Sequence, residues 1–227
     1  MSEFSEDSRV KFPALIHMVG MGFEYISSNS SAKPQDKQEP YDPLTNILTD
    51  KFKEAFLSLN PDLKEEDADK KLEEIQTSVG YNDLGRHFYR EILMEPGQGR
   101  IVDFSSEKAF IENNTFQVTT EMTCGSKKDD NFRPDITVFV NGLPLAFIEV
   151  KPDNNHEGIQ AEAKRMKVRF QNPKFRRFIN ITQMMMFSND MEYETDNVVP
   201  TQGAFYATTG LLNTKYNLFR EEGQQHL

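Results

Sequence analysis

The chain has 227 residues, 37% of them hydrophobic, with one cysteine and a formal net charge of −10. That length can bury a sizeable core in one large domain, or in one domain with an appendage. No stretch reaches the roughly 20 apolar residues of a membrane helix, MSEFSEDSRVKF lacks the apolar centre of a signal peptide, and the lone Cys124 excludes an internal disulfide, so a soluble protein of a reducing cytoplasm, with no membrane partner, is expected.

In chain order, VKFPALIHMVGMGFEYI has the spaced apolar residues of a short helix running into an extended piece. SSNSSAKPQDKQEPYDP, polar and proline-containing, reads as an exposed loop or linker. LTNILTDKFKEAFLSL places Leu44, Leu48, Phe52 and Phe56 four apart, which predicts an amphipathic helix stopped by Asn60-Pro61. DLKEEDADKKLEEIQTSV and NDLGRHFYREILM read as two further helices, the second ended by EPGQG.

After Gly99 the period changes to that of strands. RIVDF, NTFQVTTEMT, PDITVFV and LPLAFIEVK are short, rich in β-branched and aromatic residues, and separated by turn or charged segments. EGIQAEAKRMKVRF then predicts a helix up to Asn172-Pro173, and FINITQMMMFSND and GAFYATTG predict later strands. The expected fold is α/β, a mixed central sheet flanked by helices with helical additions at the N-terminus. Residues 1–43 are expected to form an N-terminal segment with a polar loop, and residues 44–215 the main domain.

The hairpin RPDITVFVNGLPLAFIEVK carries the chemistry. Strand side chains alternate, so Glu149 and Lys151 share one face while Ile148 and Val150 take the other. A plain two-residue Asn141-Gly142 turn sets Asp135 opposite Ile148, on the wrong face. A three-residue connection or a bulge shifts the pairing by one and sets Asp135 opposite Glu149. Two carboxylates so placed repel unless a cation lies between them. Oxygen-only ligation suits magnesium, with Asp135 and Glu149 as ligands, the Val150 carbonyl adding a third, and Lys151 orienting and activating a water for attack on phosphorus. No Cys/His cluster offers a zinc site, and Cys124 reads as an inert strand residue.

The negative total charge speaks against a nucleic-acid partner, but the distribution does not. From Lys151 to Asn180 eight Lys and Arg stand against three acids, a basic stretch that begins at the polar strand end. On its own such a run reads as the solvated face of a helix.

Pro134-Asp135 followed by Glu149-Val150-Lys151 resembles the PD-(D/E)xK nuclease signature. RPDITVFVNGLPLAFIEVKP, EGIQAEAKRMKVRFQNPKFRRFINITQMMMFSNDMEYE, LSLNP, NDLGRHFYREIL, VDF and NTFQVT together resemble the N-terminal region of the R (HsdR) subunit of type I restriction-modification enzymes, from about Val10 to about Gly210. The resemblance implies a PD-(D/E)xK restriction-endonuclease-like core and a Mg²⁺-dependent endonuclease acting on double-stranded DNA. It further implies a complex with methyltransferase and specificity subunits that translocates DNA using ATP before cutting at a distance. The chain has no G-x-x-x-x-G-K-S/T phosphate loop, so the ATP-driven motor is expected in sequence outside it, with residues 216–227 starting a linker.

Many relatives carry Gln-x-x-x-Tyr on the helix after the catalytic lysine; here Gln160 is followed by Lys164, which with Arg165 becomes a candidate DNA contact. The family often draws a further acid from the preceding helix. Glu91 is the candidate, with Glu54 and His87 behind it, and the plainer reading of each is an exposed structural side chain. A stand-alone nuclease or resolvase of the same fold, and a non-catalytic docking module, are the alternative functions.

Overall fold

The computed structural model describes residues 11–27, 40–124, 132–151, 158–188, 204–208 and 217–218. Its centre is a seven-stranded sheet whose spatial order is its chain order: β1 (Glu24–Tyr25), β2 (Phe116–Thr120), β3 (Ile136–Val140), β4 (Leu143–Val150), β5 (Met184–Ser188), β6 (Ala204–Thr208) and β7 (Asn217–Leu218). The β1/β2 and β4/β5 pairs are parallel, and the other neighbours are antiparallel. The sheet is therefore mixed, and the parallel β4/β5 step is bridged by α5 (Gly158–Gln171) and α6 (Arg176–Ile181), as a parallel pair requires a crossover.

Alternation in the central strands feeds two layers. Val118, Ile136, Ile148 and Val150 form one aliphatic face, covered by Ala14, Leu15 and Met18 of α1 (Phe12–Gly20). The opposite face supplies Phe139, Phe147, Met185 and Phe187 to a core shared with Met166 of α5 and Phe178 and Ile179 of α6. A third cluster gathers α2 (Thr49–Leu59), α3 (Glu65–Ser78) and a π-helical turn (Phe88–Met94) around Val140, Leu143 and Leu145, at the turn end of the β3–β4 hairpin. Thus α1 and β1, from the expected N-terminal segment, pack onto the sheet.

Several elements differ from the reading of the sequence, each for a local reason. The helix of LTNILTDKFKEAFLSL starts at Thr49, and Leu44 is exposed. Before it, the Asp42 carboxylate accepts from Leu44 N, Thr45 N and Thr45 Oγ1, and Asn46 adopts φ 61°, so the chain turns where spacing alone suggests helix. Tyr41, at the end of the expected exposed loop, is buried in the core. RIVDF is no strand: Asp103 is held by side-chain bonds to Asn113, Asn114 and Ser105, and the unpredicted α4 (Glu107–Asn113) follows, with Ser106 Oγ accepting from Ala109 N as its N-cap. The first half of FINITQMMMFSND is α6, and the strand begins only at Met184. Thr182 closes that helix by donating from Oγ1 to the Phe178 carbonyl.

Candidate active site

The β3–β4 hairpin combines both registers. Asn141 and Gly142 sit at φ 52° and 76°, the left-handed pair of a tight two-residue turn, so Val140 faces Leu143. Beyond it the ladder shifts: Val138 faces Ala146 and Ile136 faces Ile148, so two residues of β4, Pro144 and Leu145, stand against Phe139 alone. Proline has no N–H to give a ladder, which makes this the natural place for a bulge. Leu145 O accepts from Gln183 N at 2.7 Å in the next segment, and Pro144 O lies 3.3 Å from Thr182 Oγ1, sharing that hydroxyl's single proton with the Phe178 carbonyl. The bulge carries the pairing onward by one place, and Asp135 comes to the position across from Glu149.

The turn itself is rigidly held. Asn141 Oδ1 accepts from Thr115 N at 2.7 Å, and its Nδ2 donates to Ile101 O at 2.9 Å and Asn114 Oδ1 at 2.7 Å, all with Asn141 fully buried. A Cβ on Gly142 would lie 2.7 Å from both Leu48 O and Phe52 N, so glycine is required by contact as well as by φ.

At the other end of the hairpin two polar side chains meet the backbone of Val150. Val150 N donates to Asp135 Oδ2 at 2.8 Å, and Lys151 Nζ donates to the Val150 carbonyl at 2.8 Å. The acid and the ammonium therefore engage the two peptide groups on either side of the Val150 Cα. Glu149, one residue earlier, is 5% exposed and pairs across the parallel ladder with Phe187, while Lys151 N continues that ladder to Ser188 O. Asp135 and Lys151 are half-buried, so the group opens to solvent from a largely buried base.

Electrostatics identifies a neighbour that pattern reading passed over. The Cys124 thiol is pushed well above its usual range by burial and by the Glu149 carboxylate, and is drawn down by the Arg169 guanidinium. Glu149 and Arg169 thus act on the same sulfur, and Arg169 also lies 4.4 Å over the Phe132 ring. Only placement on the sheet face could have revealed Arg169, because it stands twenty residues from Glu149 inside a basic run. Cys124 itself is buried, as an inert residue would be.

Among the described residues no three His, Cys, Asp or Glu side chains form a metal-holding group, so a cation here would rest on two carboxylates and the main chain. That donor set is all oxygen. It fits a hard divalent ion, and the Val150 carbonyl keeps a second lone pair beside the one that Lys151 uses.

The remaining candidates go elsewhere. Glu91 is exposed on the π-helical turn, whose buried Phe88, Ile92 and Leu93 pack with Leu143 and Leu145, at the opposite end of β4 from Glu149. The four strand steps from Leu145 to Glu149 span about 13 Å. Glu54 is exposed on α2 of the same cluster, and His87 Nδ1 is hydrogen-bonded to Ser78 Oγ at 2.8 Å. Lys164 and Arg165 are exposed on α5. Gln160 belongs to that helix, but its side chain, and hence its pairing with Lys164, falls outside the described residues.

Two comparisons bear on this geometry. The family described as type I restriction enzyme R protein N terminus matches residues 3–195. The chain is also 25% identical over 172 residues to a putative type I restriction enzyme MjaIXP endonuclease subunit of Methanocaldococcus jannaschii, covering 69% of this chain and 16% of that relative's length. No helix among the described residues is long and apolar enough to cross a membrane.

Proposed function

This chain belongs to the family of type I restriction enzyme R protein N termini, and we propose that the polar end of its β3–β4 hairpin cuts phosphodiester bonds of double-stranded DNA on behalf of such an R subunit. The observation that carries the reading is the convergence of Asp135 and Lys151 on the Val150 peptide, with buried Glu149 beside it.

Asp135, Glu149 and the Val150 carbonyl would hold Mg²⁺, which when bound supplies positive charge against the phosphate and eases deprotonation of a water. The chain's own groups do the rest. The Val150 N–H fixes one oxygen of Asp135 and leaves the other outside that bond. Burial of Glu149 in a low-dielectric wall strengthens its attraction for any cation that enters. Lys151, anchored on the Val150 carbonyl, holds an ammonium where it can orient a water and offset charge on a phosphoryl oxygen. The basic run from Lys164 onward, with Lys164 and Arg165 on α5, supplies the sequence-independent attraction that a DNA backbone needs, and Gln160 on the same helix adds an amide that can hydrogen-bond a phosphate oxygen.

On this reading residues 44–215 are the body of the nuclease unit, to which α1, β1 and β7 add from the flanking segments, the chain after β7 leads toward ATP-driven motor domains, and methyltransferase and specificity subunits complete the complex in the cytoplasm. Cutting then occurs far from the recognition site, after translocation. The test uses the full-length protein with its partner subunits, plasmid DNA, Mg²⁺ and ATP. Asp135→Ala, Glu149→Ala and Lys151→Ala each abolish linearisation while ATP hydrolysis continues; mutants that cut at the parent rate would remove these residues from the mechanism and leave a docking module.

A further inference from the structure

A second polar cleft, of about 410 Å³, lies where the turn at residues 82–86 meets the α5–α6 junction, and Arg86, Arg176, Asn82, Gln171 and Asn172 line it. The backbone explains why two arginines distant in sequence face one space. Asn180 Nδ2 donates to Val79 O at 2.8 Å and Tyr81 O at 2.7 Å, which straps the turn to α6. Gly85, at φ 75°, then lies so close that a Cβ there would sit 2.2 Å from Asn180 O. The strap fixes Arg86 opposite Arg176.

The charge in this cleft is available to a ligand. Asp83 also lines it, but its carboxylate already accepts from Gly85 N at 3.0 Å and His87 N at 2.8 Å, serving the turn. Neither Arg86 nor Arg176 forms an ion pair among the described residues. Amides and two planar forks around a cavity of this size match the chemistry of a phosphodiester oxygen. The setting fits as well: between Gly158 and Ser188 seven Lys and Arg stand against one Glu, in a chain of net charge −10.

The cleft also adjoins the exposed side of α5. Among the described side chains of α5, Ala161, Lys164, Arg165, Val168 and Gln171 are exposed, a stripe that ends at the cleft wall. Fourteen helical residues rise about 21 Å, the length of some six base pairs at about 3.4 Å each. We infer that Arg86 and Arg176 form a phosphate anchor, which grips the backbone of the duplex outside the strand end where the bond is cut. This rests on the reading that the polar strand end cuts DNA. The anchor would hold the duplex along α5 after a motor has delivered it, with no base contact needed.

The test measures binding of a labelled 20-base-pair duplex by the 227-residue chain in EDTA, over a range of salt, so that no metal site contributes. Each phosphate contact adds about 0.9 to the slope of log affinity against log salt. Arg86→Gln with Arg176→Gln is expected to weaken binding about tenfold or more at 50 mM salt and to flatten the slope by about 1 to 2. Arg86→Lys with Arg176→Lys restores most of the slope, which separates charge from folding. Unchanged affinity and slope in the glutamine pair overturn the anchor, as does a wild-type chain that binds no DNA. Thermal protection by inorganic phosphate without any DNA effect also overturns it, marking a small-anion pocket. Failure of the nuclease reading looks different: plasmid cutting would survive Glu149→Ala while the arginine pair still governed binding.

Discussion

Asn141 is the residue on which the hairpin's register depends, and replacing it gives a quantitative test. Asn141→Ala removes one acceptor and two donors from a fully buried site, leaving Thr115 N and Ile101 O without those bonds and Asn114 Oδ1 with only the one from Asp103 N. A buried polar group that loses its partner costs about 1–3 kcal/mol. Two such groups at the low end, about 1 kcal/mol for the third lost bond and about 1 kcal/mol for alanine at φ 52° give a destabilisation of about 4 kcal/mol. Asn141→Gly tolerates the backbone angle and forfeits the same bonds, so it should cost about 1 kcal/mol less. With no tryptophan in the chain, urea unfolding followed by far-UV circular dichroism is the suitable assay. At about 2–4 °C per kcal/mol for a chain of this size, Asn141→Ala should lower Tm by roughly 8–16 °C. A loss under about 1 kcal/mol would refute the claim that these bonds hold the turn.

Other outcomes follow from the same geometry. Gly142→Ala should destabilise strongly, since its Cβ would meet Leu48 O and Phe52 N at 2.7 Å, and a melt within 2 °C of the parent would contradict the close packing. The Asp103 carboxyl is held below its ordinary range by bonds from Ser105 and Asn113 and by Arg100. Its contribution is therefore present above the unfolded carboxylate value and is lost as pH falls through the folded one. Stability measured against pH should show Asp103→Asn differing most from the parent at neutral pH and converging with it in strong acid. Cys124, buried with its thiol pushed upward, should react with a thiol reagent at pH 8 only as the chain unfolds; rapid labelling of the native state would place the sulfur at the surface instead.

What could be read from the residues was mainly what repeats. Strand alternation in PDITVFV and LPLAFIEVK separated Glu149 and Lys151 from Ile148 and Val150, and the need to bring Asp135 across from Glu149 pointed to a bulge. Its position was not readable until β4 was seen to double up at Pro144-Leu145. Elements governed by long-range bonds were lost. RIVDF looks like a strand, yet Asn114, eleven residues on, grips Asp103 through both backbone groups. FINI has strand composition, but Asn180 reaches Val79 and Tyr81 about a hundred residues back, and that strap favours α6. The α4 helix was a different miss, since Ser106 followed by Glu107 is a start signal that local reading supplies. That Glu91 stands on an element packed at the turn end of β4 was not legible, because helix order in the chain does not tell which end of a strand a helix will cover.

The doubled position at Pro144-Leu145 has a consequence for how this protein can change over time. Residues along β4 can be exchanged for others of similar bulk without disturbing the strand end, but the count between Gly142 and Ala146 cannot vary by even one. A single-codon deletion there would turn the ribbon over, pushing the Glu149 carboxylate into the aliphatic bed under α1 and Ile148 out into the polar mouth. Lineages descended from this gene should therefore drift in composition across the segment while keeping its length.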